Sequence, residues 1–340
     1  MSRFTRVFHL FGWGSVIGLL LLALVEIWLH SDDFLYRYRS VFATGRAMDK
    51  LQYVSSHTPA LLVLGNSRID NGFIPQVLLE GSVADVSGFN MGMPGANAGI
   101  LYGVVKRLAN EGNLGAKGIR AVLIGLDEHL LQAEDSLGYG VFYSDPAWLW
   151  QTRDWRGMLA NSIRLWGFSA NLKQLREPAK ALGFYQASFA AMEPVGGGAA
   201  MHLGYRAGFG GLQDAGQVRR QQESFDEPPD VNQIKALFAT VALLQRYGVE
   251  VAVVYPPLLN RELLYLTPQL PAARLYLAVA ERLTAEGVPQ LTLETAAQRN
   301  PEMFVNSGHL NDLGAHYHSR LLARQLRAIW PTLYAQEGGA

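Results

Sequence analysis

The stretch LLVLGNSRID, residues 61–70, decides the fold, because an apolar run of strand length stops at Gly65 and passes into Asn66-Ser67-Arg68. A continuous apolar run of this length, here residues 59–65, is typical of a strand that is buried on both faces of a parallel sheet. In open parallel sheets, ligands bind beyond the carboxyl ends of the strands. We therefore expect the residues that follow this strand to belong to a site.

Strand and helix patterns alternate along the rest of the chain. Apolar runs predict further strands at 83–90, 119–127 and 249–257 and a short fifth strand within VPQLTLE, and helical spacing predicts helices at 75–80, 97–112, 231–248 and 272–287. The last two helices each end at a glycine, the usual C-terminal stop. This alternation predicts an α/β domain over residues 59–335, with a flavodoxin-like, three-layer parallel sheet.

Residues 130–230 interrupt the alternation. They contain Trp148, Trp150, Trp155 and Trp166 and a glycine-rich run over residues 195–216. About 100 residues are too many for a structureless loop, so we expect an insertion of helices and a flexible glycine segment that forms a cap. Its aromatic residues have three interpretations, which are local core packing, sugar stacking and membrane contact.

The composition excludes several classes of function. The 29 basic and 29 acidic residues of this 340-residue chain cancel, so no long-range field favours nucleic acid as a partner. The absence of cysteine excludes disulfides, thiolate catalysis and sulfur-ligated metals. No other metal-ligand spacing and no phosphate-binding glycine motif occurs, so we predict neither a metal site nor a cofactor.

An apolar N-terminal segment predicts a membrane anchor at residues 11–30, with a cytoplasmic N-terminus at 1–10 and a connector at 31–58. Residues 11–29 are apolar except for Ser15 and Glu26, and about 20 such residues cross a bilayer. A signal peptide is the weaker interpretation, because the segment is long and lacks a good cleavage site. Glu26 either reaches the headgroups or contacts a partner helix. The flanking charges do not decide the orientation.

Polar residues follow each predicted strand, and a final loop adds a histidine. The second and third strands lead into NMGMPGAN (90–97) and GLDE (125–128), and the loop NSGHLND contains Asn306, His309 and Asn311 before the terminal helix. We interpret His316 and His318, which lie on that helix, as surface or packing residues.

These motifs resemble the SGNH (GDSL-type) hydrolase superfamily across most of the chain beyond the anchor. Its first block, G-D-S, is similar to Gly65-Asn66-Ser67, its second maps onto Asn90 and Gly95, its third, G-x-N-D, falls on Gly125 to Glu128, and its fifth, D-x-x-H, falls on Asn306 to His309. The resemblance implies an SGNH fold, a Ser67 nucleophile and a His309 base. It also implies an oxyanion hole formed by Ser67 and Gly95, since a tight turn presents backbone N–H groups there.

Two positions depart from the family pattern. Asn306 replaces the aspartate of D-x-x-H, and Asp127 replaces the oxyanion-hole asparagine of G-x-N-D. An amide orients a histidine but does not offset imidazolium charge, and the equivalent change in serine proteases costs about 10⁴ in rate. We therefore hypothesise that Asp127 approaches His309 from the opposite side as a relocated third member of the catalytic set.

Four further residues are candidates for substrate binding. Arg68 either binds an anionic substrate group, such as a uronate carboxylate or a phosphate, or forms an ion pair with Asp70 or another acidic residue. Asn90 and Asn97 lie in the segment NMGMPGAN that ends the second strand, and Tyr255 ends the fourth strand and is expected to shape the pocket wall.

The arrangement is similar to the membrane-anchored branch of the superfamily that includes alginate O-acetylation proteins and the teichoic acid D-alanyl transfer protein. By that resemblance we expect an acyl, specifically acetyl, transferase or esterase that acts on a cell-surface polysaccharide through an acyl-serine. We also expect a single-pass protein of the inner membrane with a periplasmic domain, and an integral membrane acyltransferase as its partner. A simple carboxylesterase and a catalytically degenerate scaffold or glycan-binding subunit remain as alternatives.

Overall fold

The computed structural model describes residues 3–82, 86–135, 137–192, 202–209, 214–221, 225–293 and 300–334, with the backbone alone at 3–11. Its centre is a parallel sheet of five strands in the order β2-β1-β3-β4-β5. The strands are β1 Leu61–Gly65, β2 Gly88–Gly92, β3 Ala121–Gly125, β4 Glu250–Tyr255 and β5 Gln290–Thr292. This order reverses direction between β1 and β3, which is where doubly wound sheets bind ligands.

Both faces of the sheet are covered, because successive strand residues point to opposite faces. Leu62 and Leu64 of β1 belong to the larger apolar core, and Leu61 and Val63 belong to a second core on the other face. The covering helices and their neighbours are α1 Arg3–Leu29, α2 Asp32–Arg37, α3 Ala43–His57, α4 Ser67–Asp70, α5 Pro75–Leu78, α6 Ala98–Asn110, α7 Gly140–Tyr143, α8 Pro146–Gln151, α9 Trp155–Ser162, α10 Arg164–Gly167, α11 Ser169–Lys173, α12 Pro178–Phe189, α13 Ala215–Arg220, α14 Val231–Arg246, α15 Arg274–Ala285, α16 Asp312–Ile329 and α17 Pro331–Tyr334. The domain is therefore an α/β structure of three layers.

The predicted α/β class and parallel sheet are confirmed, but the strand limits differ. The second strand spans Gly88–Gly92 rather than 83–90, and residues 83–85 lie outside the described residues. The other four strands are shorter than their apolar runs, because pairing ends before burial does: Ala60 and Leu126 are buried just outside β1 and β3.

Helix α1 contains an 18-residue window, Gly12–Leu29, with a mean hydropathy of 1.9. Only 6% of this window is buried against the rest of the protein. The helix is thus long and apolar enough to cross a membrane, either as an anchor or as a signal sequence. The connector that follows is helical and packs on the domain through Met48 and Leu51 of α3.

The described part of residues 130–230 contains seven α-helices, α7 to α13. The predicted flexible glycine segment falls largely on residues 193–201 and 210–213, which are outside the described residues. Trp148 packs against Tyr102, with ring centroids 4.7 Å apart, as local core packing predicts. Trp150, Trp155 and Trp166 are instead exposed.

Candidate active site

The Ser67 turn is built by the residue before it. Asn66 is the N-cap of α4, and its Oδ1 accepts a hydrogen bond from the Arg68 N–H at 3.0 Å. The turn leaves Ser67 half-buried at the first helical position. Among the described residues, no acceptor lies within hydrogen-bonding distance of the Ser67 N–H. This donor is therefore available to a negatively charged oxygen.

His309 reaches Ser67 from a hairpin formed by β6 Phe304–Asn306 and β7 His309–Leu310. Its Nε2 lies 2.8 Å from the Ser67 Oγ, although the two residues are 242 positions apart. The α4 turn holds the hairpin in place, since Arg68 Nε donates to the Gly308 carbonyl at 3.2 Å and Asn71 Nδ2 donates to the Leu310 carbonyl at 3.0 Å. The hydroxyl and the imidazole are thus within proton-transfer distance.

Asn306 orients the ring of His309. Its Oδ1 lies 2.9 Å from His309 Nδ1 and also accepts the Gly308 N–H at 3.0 Å. Because a backbone N–H requires an acceptor, the second bond fixes the oxygen, rather than the amide nitrogen, toward the ring. His309 Nδ1 must then carry the proton, which leaves Nε2 free to accept the Ser67 hydroxyl proton. The amide at position 306 thus supplies the correct tautomer without a charge.

The Asp127 carboxylate is bound by residues of the Ser67 turn, and its hypothesised role beside His309 stays a prediction. Its Oδ1 and Oδ2 accept Asn66 Nδ2 at 2.8 and 2.9 Å, and its Oδ2 accepts Arg68 Nη1 at 3.0 Å. The Leu130 N–H provides a further donor to Oδ1 at 2.9 Å. The charge of the carboxylate is therefore neutralised by Arg68, and its hydrogen bonds to Asn66 stabilise the Ser67 turn. Sequence reasoning could not anticipate this, because it left Asn66 without a role.

Arg68 forms the ion pair of the alternative interpretation, with Asp127 as its partner rather than Asp70. The side chain is 3% exposed, and a second carboxylate, that of Glu128, lies 3.9 Å away. Glu128 is itself fully buried and is bound by Arg261 Nη1 at 2.9 Å. Buried ions persist only when they are paired in this way. The guanidinium thus joins the Ser67 turn to the segment that follows β3. Its binding of a substrate anion stays a prediction.

A second buried ion cluster lies on the other side of α4. Asp70 Oδ1 accepts Lys50 Nζ at 2.7 Å, and Asp70 Oδ2 accepts Arg46 Nη2 at 2.9 Å. Lys50 also donates to the Gly92 carbonyl at 2.8 Å, which joins the end of β2 to the turn. Burial lowers the pKa of Lys50, although the Asp70 carboxylate opposes this shift. Sequence reasoning missed this cluster, and no local motif in the connector signals it.

Three of the four remaining candidates have structural contacts. Asn90 donates to the carbonyls of Ile69 and Phe73, both at 2.7 Å, so it fixes the chain just after the Ser67 turn. Asn97 is the N-cap of α6 and accepts the Ile100 N–H. Tyr255 is buried and hydrogen-bonds to Gln290.

Gly95 is exposed, with a φ of +77°, and the structure records no contact of its N–H with Ser67. The Ser67 turn packs against Gly92 instead. A Cβ added at Gly92 would lie 2.3 Å from the backbone nitrogen of Asp70. The Met93 N–H donates to the Gly65 carbonyl at 2.9 Å, which brings the start of the 93–97 loop to the end of β1. The oxyanion role of Gly95 stays a prediction.

Residues 202–209 lie beside the site, a placement that sequence reasoning did not find. The Arg206 N–H donates to the Asp70 carbonyl at 2.9 Å, and the ring of Phe209 lies 5.7 Å from that of His309. Tyr205 donates to Asp312 at 2.5 Å; burial, aided by this carboxylate, raises the pKa of Tyr205. The Arg206 guanidinium stacks on Phe209, with its Cζ 4.6 Å from the ring centre.

The described residues contain no group of three acidic or histidine side chains that could hold a metal ion. His318 is buried without a hydrogen-bond partner, and burial lowers its pKa to about 4. A cavity of about 430 Å³, bounded by Arg37, Arg39 and α12, shares no lining residue with the site.

No family model matches the chain, and a search of curated proteins finds no match.

Proposed function

We propose that the chain is an SGNH-type, serine-dependent O-acyltransferase or esterase that acts on a cell-surface polysaccharide through an acyl-Ser67 intermediate. The observation that carries the proposal is the continuous set Ser67 Oγ, His309 Nε2, His309 Nδ1 and Asn306 Oδ1, joined by distances of 2.8 and 2.9 Å. A serine, a base and a residue that orients the base are the parts of a nucleophilic acyl-transfer site. The five-stranded sheet order and the resemblance at four motifs support the SGNH assignment.

In the proposed mechanism, Ser67 Oγ attacks the acyl carbonyl while its proton moves to His309 Nε2. The carbonyl oxygen becomes an oxyanion, which the Ser67 N–H and, by resemblance, the Gly95 N–H stabilise. Collapse releases the leaving alcohol, which takes the proton from Nε2. An acceptor hydroxyl, or water in an esterase, then loses its proton to Nε2 and attacks the acyl-serine. The Ser67 oxygen leaves with the proton from Nε2, which regenerates the hydroxyl and the neutral imidazole.

Two features of the site favour this acyl-transfer chemistry. The Arg68 ion pair neutralises Asp127, so the carboxylate that replaces the family asparagine does not repel an oxyanion with its full charge. The ring of Phe209 lies 5.7 Å from that of His309, and we propose that it limits the access of water to the imidazole. A site shielded in this way would favour transfer to a sugar hydroxyl over hydrolysis.

Helix α1 supports a location at a membrane. By the family resemblance we place a single-pass anchor in the inner membrane, the large domain in the periplasm, and an integral membrane acyltransferase as donor of the acyl group. Fusion of the C-terminus to alkaline phosphatase and, separately, to a fluorescent protein tests this orientation. A signal from the cytoplasmic reporter alone would exclude it.

Asn306 is also the observation that favours a second candidate, a non-enzymatic scaffold or glycan-binding subunit with an SGNH fold. A neutral amide does not stabilise the imidazolium that forms during acyl transfer. The scaffold predicts that the full-length protein binds glycan equally well when Ser67 is replaced by alanine. The enzyme predicts an acyl adduct that this substitution removes.

Hydrolysis of p-nitrophenyl acetate by the full-length protein tests the proposal, with and without a polysaccharide acceptor. The transferase predicts that acceptor accelerates release of p-nitrophenol and becomes acetylated, whereas a simple carboxylesterase gives the same rate in both conditions. Ser67→Ala and His309→Gln should both abolish turnover. Asn311→Ala is the matched control, because Asn311 caps α16 through Gly314 and does not contact the proposed catalytic set. Turnover that survives Ser67→Ala would exclude the mechanism.

A further inference from the structure

The end of the apolar helix α1 is built into the domain. Glu26 lies in its last turn, and its Oε1 and Oε2 accept the Arg164 and Leu165 N–H groups at 2.6 and 2.9 Å. Arg164 in turn donates to the Leu29 carbonyl at 2.8 Å. Of the two expectations for Glu26, the structure thus shows a helix contact, in which the carboxylate caps the N-terminus of α10.

This contact fixes the depth of α10 relative to α1. Glu26 precedes Leu29 by three residues, or about 4.5 Å along the helix axis. If α1 crosses a bilayer and leaves it near Leu29, α10 lies within the last turn of the span. Amphipathic helices at a bilayer surface bury their apolar side by about 5–10 Å. The position of α10 therefore matches that of an interfacial helix.

The helices at this level carry an exposed apolar stripe. Trp155 and Leu159 are four residues apart on α9 and are 60% and 48% exposed, and Ile163 and Trp166 extend the stripe into α10 with 46% and 48% exposure. Trp155 and Leu159 share one face of α9, because residues four positions apart lie on the same side of a helix, and Ile163 links α9 to α10. Tryptophan is enriched at the boundary between lipid and water, where its amphipathic ring is stable. Arg156 is exposed on α9, and its positive charge favours contact with lipid phosphates.

A second exposed stripe lies on α12. It consists of Leu182, Tyr185 and Phe189, at spacings of three and four residues, and Phe189 is 76% exposed. This helix is held against the start of the connector, since Tyr38 and Phe184 stack with ring centroids 4.1 Å apart. Arg37 Nη1 also donates to the Ala187 carbonyl at 3.3 Å. The second stripe is thus tied to residues that follow α1 directly.

We propose that these two stripes, on α9–α10 and on α12, form a surface that lies in the headgroup region of the bilayer around the exit of α1. The occupant is lipid, because Glu26 joins the first stripe to the last turn of the apolar span and the second stripe packs on the segment that follows it. The cationic side chains of Arg156 and Arg37 lie on or against the helices that carry the stripes. The surface would hold the α/β domain in one orientation instead of leaving it on a flexible tether. The inference rests on α1 being a membrane anchor, which is part of the proposed function, but not on the acyl-transfer chemistry.

The absence of cysteine makes a direct test simple, because any introduced cysteine is unique. The full-length protein would be labelled with a nitrobenzoxadiazole fluorophore at Trp166→Cys or Phe189→Cys and placed in phosphatidylcholine–phosphatidylglycerol nanodiscs. The matched control is Leu275→Cys on α15, where the native side chain is 53% exposed. Ile17→Cys, in the middle of α1, reports whether the span is in the bilayer.

Doxyl-labelled lipid should reduce the fluorescence at positions 166 and 189 about twofold or more and leave position 275 nearly unchanged. Quenching at 17 without greater quenching at 166 and 189 than at 275 would overturn the proposed surface and leave the anchor intact. The absence of quenching at 17 would overturn the anchor and the surface together. Neither outcome depends on turnover, so failure of the acyl-transfer proposal would be recognised separately.

Discussion

Replacement of Asn306 by aspartate should raise acyl-transfer activity. The amide oxygen already holds His309 in the tautomer that accepts the Ser67 proton, so the geometry of a catalytic triad is present and only the negative charge is missing. The serine-protease precedent, in which an aspartate-to-asparagine change costs about 10⁴ in rate, includes a wrong tautomer. Here the Gly308 N–H fixes the amide oxygen toward the ring, so that part of the loss is already avoided.

The remaining effect is the difference between a charged and a neutral hydrogen bond to the imidazolium. Hydrogen bonds to charged groups contribute about 1.5–3 kcal/mol, against about 0.5–1.5 kcal/mol for neutral ones. A gain of about 1.4 kcal/mol in the transition state corresponds to about tenfold in rate. We therefore expect Asn306→Asp to raise kcat for p-nitrophenyl acetate about tenfold, and Asn306→Ala to lower it.

The pH–rate profile provides an independent readout. A carboxylate at position 306 stabilises the protonated imidazole, so His309 becomes a competent base only at higher pH. The acid limb of kcat/KM should move up by about one pH unit in Asn306→Asp. An unchanged limb and an unchanged or lower kcat, in a protein that unfolds at the same temperature as the parent, would refute the role of Asn306 as the orienting residue.

Three further predictions concern buried residues of the domain. Asp127→Asn removes the nearest counter-charge of the buried Arg68 and should lower the free energy of unfolding by about 3 kcal/mol, measured by urea denaturation. Adding Arg68→Met should recover part of this loss. Additive losses in the double variant would contradict a direct ion pair. Burial lowers the pKa of His318 to about 4. As the pH falls from about 6.5 toward 4, the unfolded chain therefore binds a proton that the folded protein excludes. The free energy of unfolding should fall by up to about 3 kcal/mol over this range. His318→Leu should flatten that dependence, and an identical slope would exclude His318 as its source. Gly92→Ala forces a methyl group against the backbone nitrogen of Asp70 and should reduce kcat at least about tenfold through displacement of the Ser67 turn, with little effect if the turn instead relaxes freely.

The fold class could be predicted because the chain signals each layer locally. The run LLVLG is apolar at every position, and a strand of this kind must be covered on both faces, as Leu61 and Leu62 are. The place of Ser67 at the edge of the sheet also follows from topology, since it comes directly after a parallel strand. The contact with His309 depends in addition on the β6–β7 hairpin, which the sequence analysis did not predict. The limits of β2 could not be predicted, because Gly88 and Gly92 pair within the ladder despite their low strand preference.

The ion pairs of the site could not be read from the sequence. Arg68 precedes Asp70 by two residues, yet it pairs with Asp127 from another strand end, while Asp70 pairs with Lys50 from the connector. The choice depends on which way each side chain leaves a turn of four residues, and sequence separation does not contain this information. One signal was not used: Asn66 stands where the first block of the similar family has aspartate, and Asp127 stands where its third block has asparagine. The structure joins these two side chains by two hydrogen bonds.

The most direct test of the account is to trap the acyl-enzyme. The full-length protein would be incubated with p-nitrophenyl acetate, quenched in acid, digested and analysed by mass spectrometry, with Ser67→Ala and His309→Gln in parallel. The account predicts an acetyl group on Ser67 in the parent, none at that position in Ser67→Ala, and a strongly reduced amount in His309→Gln. Turnover without any adduct on Ser67, or an adduct that forms equally well without His309, would contradict it.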